Sequence, residues 1–376
     1  MLRTNSTKAF DRVRKFLNVF AFGLILFIGA AAGHSGYFAK WGFWDESERG
    51  ALAVLDGTGE RPFVYRQLVP RIAIAVSHLV SVEHQKHIVN DGWMKHFSPQ
   101  ATYAKAKPIA DYKRSFAYQL MFFISFIGLF LALLVMYRWC RDLNCSIPIS
   151  LLTPLVFSLF YPIFMTRGGY WYDSFEVLFL MGAVWLAARG HWIGLLLAST
   201  LAALNKESYL FFVPTLFPLL RTSLKSRASA LLTIGCGFAA GGSHFIVRYA
   251  FSENSGQGVE FHLWENLAFY LNPSSYFGQE ANYGIPMPRG IAIPYIALVW
   301  LLWASAWKYL TTAMRQHALI ALAVNMPLFL MFCWRDELRN LSMLYPTLIS
   351  LIAISFARSN GEPHHSGSRG TIGREI

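Results

Sequence analysis

The chain is poor in charge. Only 14% of its 376 residues are Asp, Glu, Lys or Arg, where soluble domains carry about a quarter. Acids are the scarcer sign, 21 against 33 Lys and Arg, for a net charge of +12. In a soluble protein that excess would point to nucleic acid. In a chain of long apolar runs it marks the cytoplasmic ends of spans, which meet anionic lipid, so no nucleic-acid partner is expected. Cysteine is also scarce. Cys140, Cys145, Cys236 and Cys333 show no metal-site spacing, and two lie in or beside apolar runs. This argues against a disulfide framework and against a zinc site. No internal repeat is visible. What the chain has in quantity is apolar and aromatic surface: 55% hydrophobic residues, with 12 Trp and 31 Phe.

A bilayer core takes about 20 apolar residues per helix. Apolar runs at roughly 16–33, 115–137, 147–165, 174–188, 191–204, 208–221, 228–250, 291–307, 317–334 and 340–357 predict an all-α polytopic membrane protein. It would have about ten transmembrane helices in one membrane domain, residues 1–358. Three of the runs (174–188, 191–204 and 208–221) are short for a crossing. Lys and Arg in short loops set the direction. Arg3, Lys8, Arg12, Arg14 and Lys15 place the N-terminus inside. Arg138 and Arg141, Arg189, then Arg221, Lys225 and Arg227, then Lys308 and Arg315, and last Arg358 fall on the same side. The prediction is N-in/C-in, with a long first external loop at 34–114. Within that loop Arg71–Val82 is apolar but too short to cross, and is read as a helix lying on the membrane surface. Residues 18–32 also fit a signal peptide ending near Ala30-Ala31-Ala32, although a retained first helix is the norm in polytopic proteins. The Gly-, Ser- and His-rich tail 359–376 reads as a disordered cytosolic end. Gly235, Gly237, Gly241 and Gly242 read as small residues for close helix packing.

Ionisable groups near a membrane-embedded cavity are functional candidates. Four clusters fall on the predicted external face. The first is Asp45, Glu46 and Glu48, with Arg49, Arg61 and Arg66 nearby. The second is Arg167 and Asp173, with Glu176 just inside the next helix. The third is Asn205-Lys206-Glu207. The fourth is Arg335-Asp336-Glu337-Leu338-Arg339-Asn340. Structural readings stand beside these. Loop acids are often only solvated, Lys206 and Glu207 could neutralise each other, and Arg335 and Arg339 could be interfacial anchors. Asp173 could cap the helix that follows it. The coincidence of all four clusters on one face favours a site with carboxylates for proton abstraction and cations for an anionic group such as a phosphate.

The order of these parts resembles the GT-C superfamily, integral membrane glycosyltransferases that use polyprenyl-phosphate-linked sugars. An acidic pair, Asp45-Glu46, follows the first span. A Pro-bearing surface segment, Pro62-Phe63-Val64-Tyr65-Arg66-Gln67-Leu68-Val69-Pro70, comes next, and the second span ends in Tyr137-Arg138-Trp139-Cys140-Arg141. Asp173 starts a later span. Leu204-Asn205-Lys206-Glu207 resembles the family's Lys turn, and Glu337 to Pro346 its late Arg-bearing approach to a Pro-containing span. The likeness covers roughly 16–357, in pattern more than in sequence. The chain departs from it in being short, in lacking a large C-terminal soluble domain, and in having Ser after Asp45-Glu46.

The resemblance implies transfer of a sugar, with inversion, from a polyprenyl-phosphate donor to a glycan, lipid or protein acceptor. Asp45 would be the general base, with Glu46 second. Arg167, Lys206, Arg335 and Arg339 would meet the phosphate, supported by Arg61 and Arg66, and Asp173 and Glu207 would orient these groups. No cofactor is demanded, and a divalent cation, Mg or Mn, is compatible with the acids. The expected place is a bacterial inner (plasma) membrane, with the site on the external, periplasmic side. Two other classes fit the composition: a polymerase or ligase acting on lipid-linked glycans, with 251–290 as its external loop, and a non-enzymatic lipid or sugar transporter. The charges lie at span ends on one face and no half-repeat is seen, which speaks against the transporter.

Overall fold

The computed structural model describes residues 3–45, 48–91, 96–257 and 259–362. Glu46 and residues 363–376 of the predicted tail lie outside the described residues. In chain order the α-helices are α1 (Arg3–Trp41), α2 (Ala51–Leu55), α3 (Leu68–Leu79), α4 (Val82–Lys86), α5 (Pro99–Thr102), α6 (Tyr112–Asp142), α7 (Ile147–Phe164) and α8 (Asp173–Arg189). They continue with α9 (Trp192–Asn205), α10 (Tyr209–Phe212), α11 (Phe217–Leu220), α12 (Ser226–Ala250), α13 (Leu263–Leu271), α14 (Ile293–Ala306), α15 (Thr312–Phe332) and α16 (Tyr345–Ser359).

Six helical stretches among the described residues are long and apolar enough to cross a membrane: Val19–Trp41 of α1, α6, α7, α12, α15, and Leu338–Ser359, a 3-10 segment running into α16. The protein is an all-α integral membrane protein. The remaining predicted spans are helical but shorter: α8 has 17 residues, and α9 and α14 have 14 each. The run at 208–221 breaks into α10, a 3-10 turn and α11. Pro214 and Pro218 each stand in the first turn of a new segment, where the missing N–H interrupts the ladder least. The short apolar segment Arg71–Val82 is helical as far as Leu79, within α3 (Leu68–Leu79).

α6 and α8 run parallel. Ser125 Oγ lies 3.4 Å from Ser174 Oγ near one end, and Arg189 Nη2 lies 2.7 Å from Asp142 Oδ1 at the other. α7 joins them in the chain and packs on α6 and α1. α1 packs on α7 so closely that a Cβ at Gly33 would strike the Ser158 side chain, and α6 meets Phe175 of α8 at Gly128, where a Cβ would sit 2.6 Å from the ring. The glycines of α12 do not act in this way, which corrects the sequence expectation. Gly237 and Gly242 face open space, and Gly235 and Gly241 have one neighbour each, at 3.6 and 4.0 Å.

A two-stranded antiparallel hairpin, β1 (Gln279–Asn282) and β2 (Ile285–Pro288), interrupts the 251–290 segment. Its turn residues Tyr283 and Gly284 have φ of 53° and 76°, as a two-residue hairpin turn requires. Lys40, near the end of α1, holds the hairpin through Glu280 Oε1 at 2.6 Å and Asn282 Oδ1 at 3.0 Å. This contact brings the segment following the hairpin over the end of the bundle where α8 begins.

Candidate functional site

The short segment before α8 places Tyr170, Trp171 and Tyr172 in the core, and two arginines close on these rings. The Arg66 guanidinium lies 4.4 Å from the Tyr172 ring centre and that of Arg339 lies 4.5 Å from Tyr170, within cation–π range. Both arginines also donate to the Tyr172 hydroxyl, Arg339 Nη1 at 3.1 Å. Each is neutralised by acids. Arg66 donates to both oxygens of Glu207, from Nε at 3.1 Å and from Nη2 at 2.5 Å. Arg339 bridges Asp173 Oδ1 at 3.4 Å and Glu337. Asp173 accepts from the Tyr170 amide at 2.9 Å through Oδ2. Its carboxylate is therefore committed to the turn before α8, not to the helix amides beyond it.

Lys206 and Glu207, adjacent in sequence, turn to different partners. Lys206 leaves α9 with extended backbone, φ −158° and ψ 130°, and its ammonium meets Glu176 Oε2 at 2.8 Å and Asn340 Oδ1 at 3.0 Å. Ser342 Oγ donates to the other Glu176 oxygen at 2.6 Å. The cavity against this group is about 10 Å³, room for roughly one water. Burial alone would raise the Glu207 carboxyl, but the Arg66 charge and its hydrogen bonds outweigh that and bring it down to about 2. Arg66, Asp173, Lys206, Glu207 and Arg339 are thus brought together as an internally neutralised network.

A second cluster is different. Arg167, Arg289 and Arg335 gather around Asp336. Arg167 and Asp336 both have left-handed backbone, φ 59° and 61°. The two turns are stitched by Thr166, whose hydroxyl donates to the Asp336 carbonyl and accepts from the Leu338 amide at 2.9 Å. The Ile291 amide approaches Asp336 Oδ1 at 3.4 Å and Arg289 Nε approaches Oδ2 at 3.8 Å. Gly290, at φ 67°, has no room for a Cβ beside that carboxylate. Arg335 lies over Trp334 and Phe269, at 5.3 and 5.7 Å. Burial lowers the Arg167 guanidinium from its usual range, and the positive charges of Arg289 and Arg335 add to this. Burial raises the Asp336 carboxyl, against the Ile291 amide and the arginines. Among the described residues Arg167 and Arg335 form no ion pair, and the Nε atoms of all three arginines are buried without a hydrogen-bond partner. Arg167 and Arg289 thus both act on Asp336, Arg335 adds its charge beside Arg167, and the further acid Glu280 is paired with Lys40.

Asp45 is held from α6, and its neighbour Trp44 reaches the turn of Arg167. Asp45 Oδ2 accepts from the Tyr118 hydroxyl of α6 at 2.5 Å. Beside it, Trp44 packs over the turn of Arg167, 3.6 Å from the position a Cβ on Gly168 would take. The loop arginines serve elsewhere. Arg49 pairs with Glu60 at 2.8 Å and Glu260 at 3.2 Å. Arg61 holds the carbonyls of Ser252 and Gly256, at 3.3 and 2.8 Å, and so fastens the loop after α12. Among the described residues no three His, Cys, Asp or Glu side chains are grouped to hold a metal ion.

Sequence reasoning missed Arg289 as a site residue. It stands about 120 residues from Arg167, in a segment whose placement depends on the Lys40–hairpin contact. It also passed over Tyr170 and Tyr172 as surroundings, although an aromatic run beside arginines is a recognisable cation–π signal. No protein-family model, curated protein or solved structure gives a significant match to this chain.

Proposed function

We propose that the protein is a membrane glycosyltransferase of GT-C type. It would move a sugar from a polyprenyl-phosphate donor to an acceptor hydroxyl at the membrane face bearing Asp45 and the three arginines. The observation that carries this reading is the Arg167–Arg289–Arg335 cluster: three guanidiniums, two of them facing Asp336, with Trp44 packed over the turn of Arg167. Guanidiniums match phosphate geometry, and uncompensated ones favour a dianion.

In the proposed step the acceptor oxygen attacks the anomeric carbon as its proton passes to the Asp45 carboxylate. The bond from that carbon to the phosphate oxygen breaks, and its electron pair leaves with the lipid phosphate. The arginines stabilise the growing charge on the leaving group. Tyr118 orients the base by its hydrogen bond. Glu46 is the alternative base, and a divalent cation at the same loop is compatible with this chemistry, although no step depends on it. The placement that goes with this reading has about ten membrane crossings, counting α8, α9, α10–α11 and α14. Both termini are inside, and the site lies on the external face of a bacterial inner membrane. A glycan, lipid or protein acceptor fits equally.

The test uses the purified protein with a radiolabelled polyprenyl-phosphate sugar. Asp45→Asn should abolish transfer and keep the wild-type elution profile and Tm. Full transfer by that variant removes Asp45 as the base. Movement of the labelled lipid across vesicles with no covalent change would instead favour a transporter.

A further inference from the structure

The opposite end of the bundle carries a feature that the proposed transfer does not use. Leu131, Leu134, Val135 and Arg138 form one stripe of α6, at the i, i+3, i+4 and i+7 spacing of a single helix face. Leu178 and Trp185, seven residues apart, form the facing stripe of α8. Between them lies an open trough of about 250 Å³. The two helices touch above it, where Gly128 meets Phe175. They are clasped below it, where Asp142 accepts from Arg189 Nη2 at 2.7 Å, from Arg189 Nε at 2.9 Å and from the Trp185 indole at 3.0 Å. Ala132, Leu133 and Met181 of the same two helices are buried, so the trough lies on the outward faces of α6 and α8. Its exposed surface is apolar except at one end, where Arg138 stands.

The two arginines at this end differ in charge balance. Arg189 is held bidentately by Asp142 and lies over the Trp185 ring at 5.0 Å. Arg138 is exposed and has no ion-pair partner among the described residues. The trough therefore pairs an apolar slot with one uncompensated cation at the depth where α6 leaves the hydrocarbon. An acyl chain fits the slot and a phosphate fits the cation, and basic sites between membrane helices are where anionic head groups bind. It is remote from Asp173 and the arginine cluster: α8 spans 17 residues from Asp173 to Arg189, about 25 Å at the rise of a helix.

We infer that the α6–α8 trough binds one anionic phospholipid, with an acyl chain along Leu131, Leu134, Val135, Leu178 and Trp185 and its phosphate on Arg138. The inference is independent of the proposed transferase reaction.

The experiment is native mass spectrometry of the full chain released from mixed phosphatidylglycerol and phosphatidylcholine micelles. It is combined with Trp fluorescence in phosphatidylglycerol brominated on its acyl chains. Wild type should retain one phosphatidylglycerol in preference to phosphatidylcholine, and Arg138→Gln should lower that retention at least fivefold. Brominated lipid should quench Trp185, so the quenched fraction should fall in Trp185→Phe. Lys225→Gln, an exposed cation off the trough, should change neither reading. Equal retention in Arg138→Gln and wild type, or an equal loss in Lys225→Gln, would overturn the inference in favour of general interfacial charge. Undiminished quenching in Trp185→Phe would place the chain elsewhere and overturn it as well.

Discussion

Arg66 grips Glu207 through two hydrogen bonds, Nε to Oε2 at 3.1 Å and Nη2 to Oε1 at 2.5 Å, across 141 residues of sequence. The pair ties the first long loop to the turn between α9 and α10, and it predicts how stability responds to acid. The Glu207 carboxyl is held at about 2 in the folded protein, below its unfolded value of about 4.3. A depressed folded value means that the stabilisation is fully present above the unfolded value and is lost as pH falls toward the folded one. The Tm difference between wild type and Glu207→Gln should therefore be largest above about pH 5 and shrink as pH drops toward 2. A gap that does not change over that range would show that the pair contributes nothing through its charge.

Lys206 and Glu176 are a second buried pair, with side chains 6% and 8% exposed. Removing one partner of such a pair strands a charge and costs about 3–5 kcal/mol, whereas replacing both with apolar groups is often close to neutral. Lys206→Met should lower Tm sharply, and Lys206→Met/Glu176→Leu should recover most of the loss. If Lys206→Met keeps its Tm and raises only the KM for donor, the ammonium serves the substrate and not the fold.

The arginine cluster predicts a different kind of damage. Arg167→Gln and Arg335→Gln remove cations that form no ion pair among the described residues, so they should leave Tm nearly unchanged. Each should reduce transfer by about 10²-fold, the usual cost of losing one charge-stabilising donor. Measuring Tm and kcat/KM on the same preparations checks this. A large loss of Tm with each Arg would mark the cluster as structural.

Gly290 allows a test that leaves every charge in place. At φ 67° it sits where a Cβ would overlap the Asp336 carboxylate. Gly290→Ala should cost about 1 kcal/mol from the left-handed backbone. It should also lower donor-dependent transfer by displacing Asp336 and Arg289. Wild-type kinetics in this variant would show that the position of Asp336 is immaterial.

Tyr118→Phe isolates the hydrogen bond to Asp45. It should reduce kcat with little effect on KM, and by less than Asp45→Asn does. An unchanged kcat would separate Tyr118 from the base.

The apolar runs were legible because burying a helix in lipid needs only a long enough stretch of greasy side chains, which composition records directly. The class and the helical positions, the short apolar helix α3 included, follow from that. The crossing count did not follow as simply. Pro214 and Pro218 divide 208–221, and α9 and α14 stop at 14 residues, so apolar length in the sequence overstated continuous helix. Candidate residues were legible too, since charge is rare enough in this chain to be conspicuous.

Partner choice was not legible. Lys206 and Glu207 are neighbours, yet a single extended residue sends one side chain to Glu176 and the other to Arg66. Arg289 reaches Arg167 only because Lys40 anchors a hairpin. Sequence alone determined which groups are scarce, charged and set at helix ends, because those properties are local. Tertiary structure decided which cations are already neutralised and which are left over. An ion pair is a contact between distant residues, with an energy set by burial and distance, and neither quantity exists until the helices have packed.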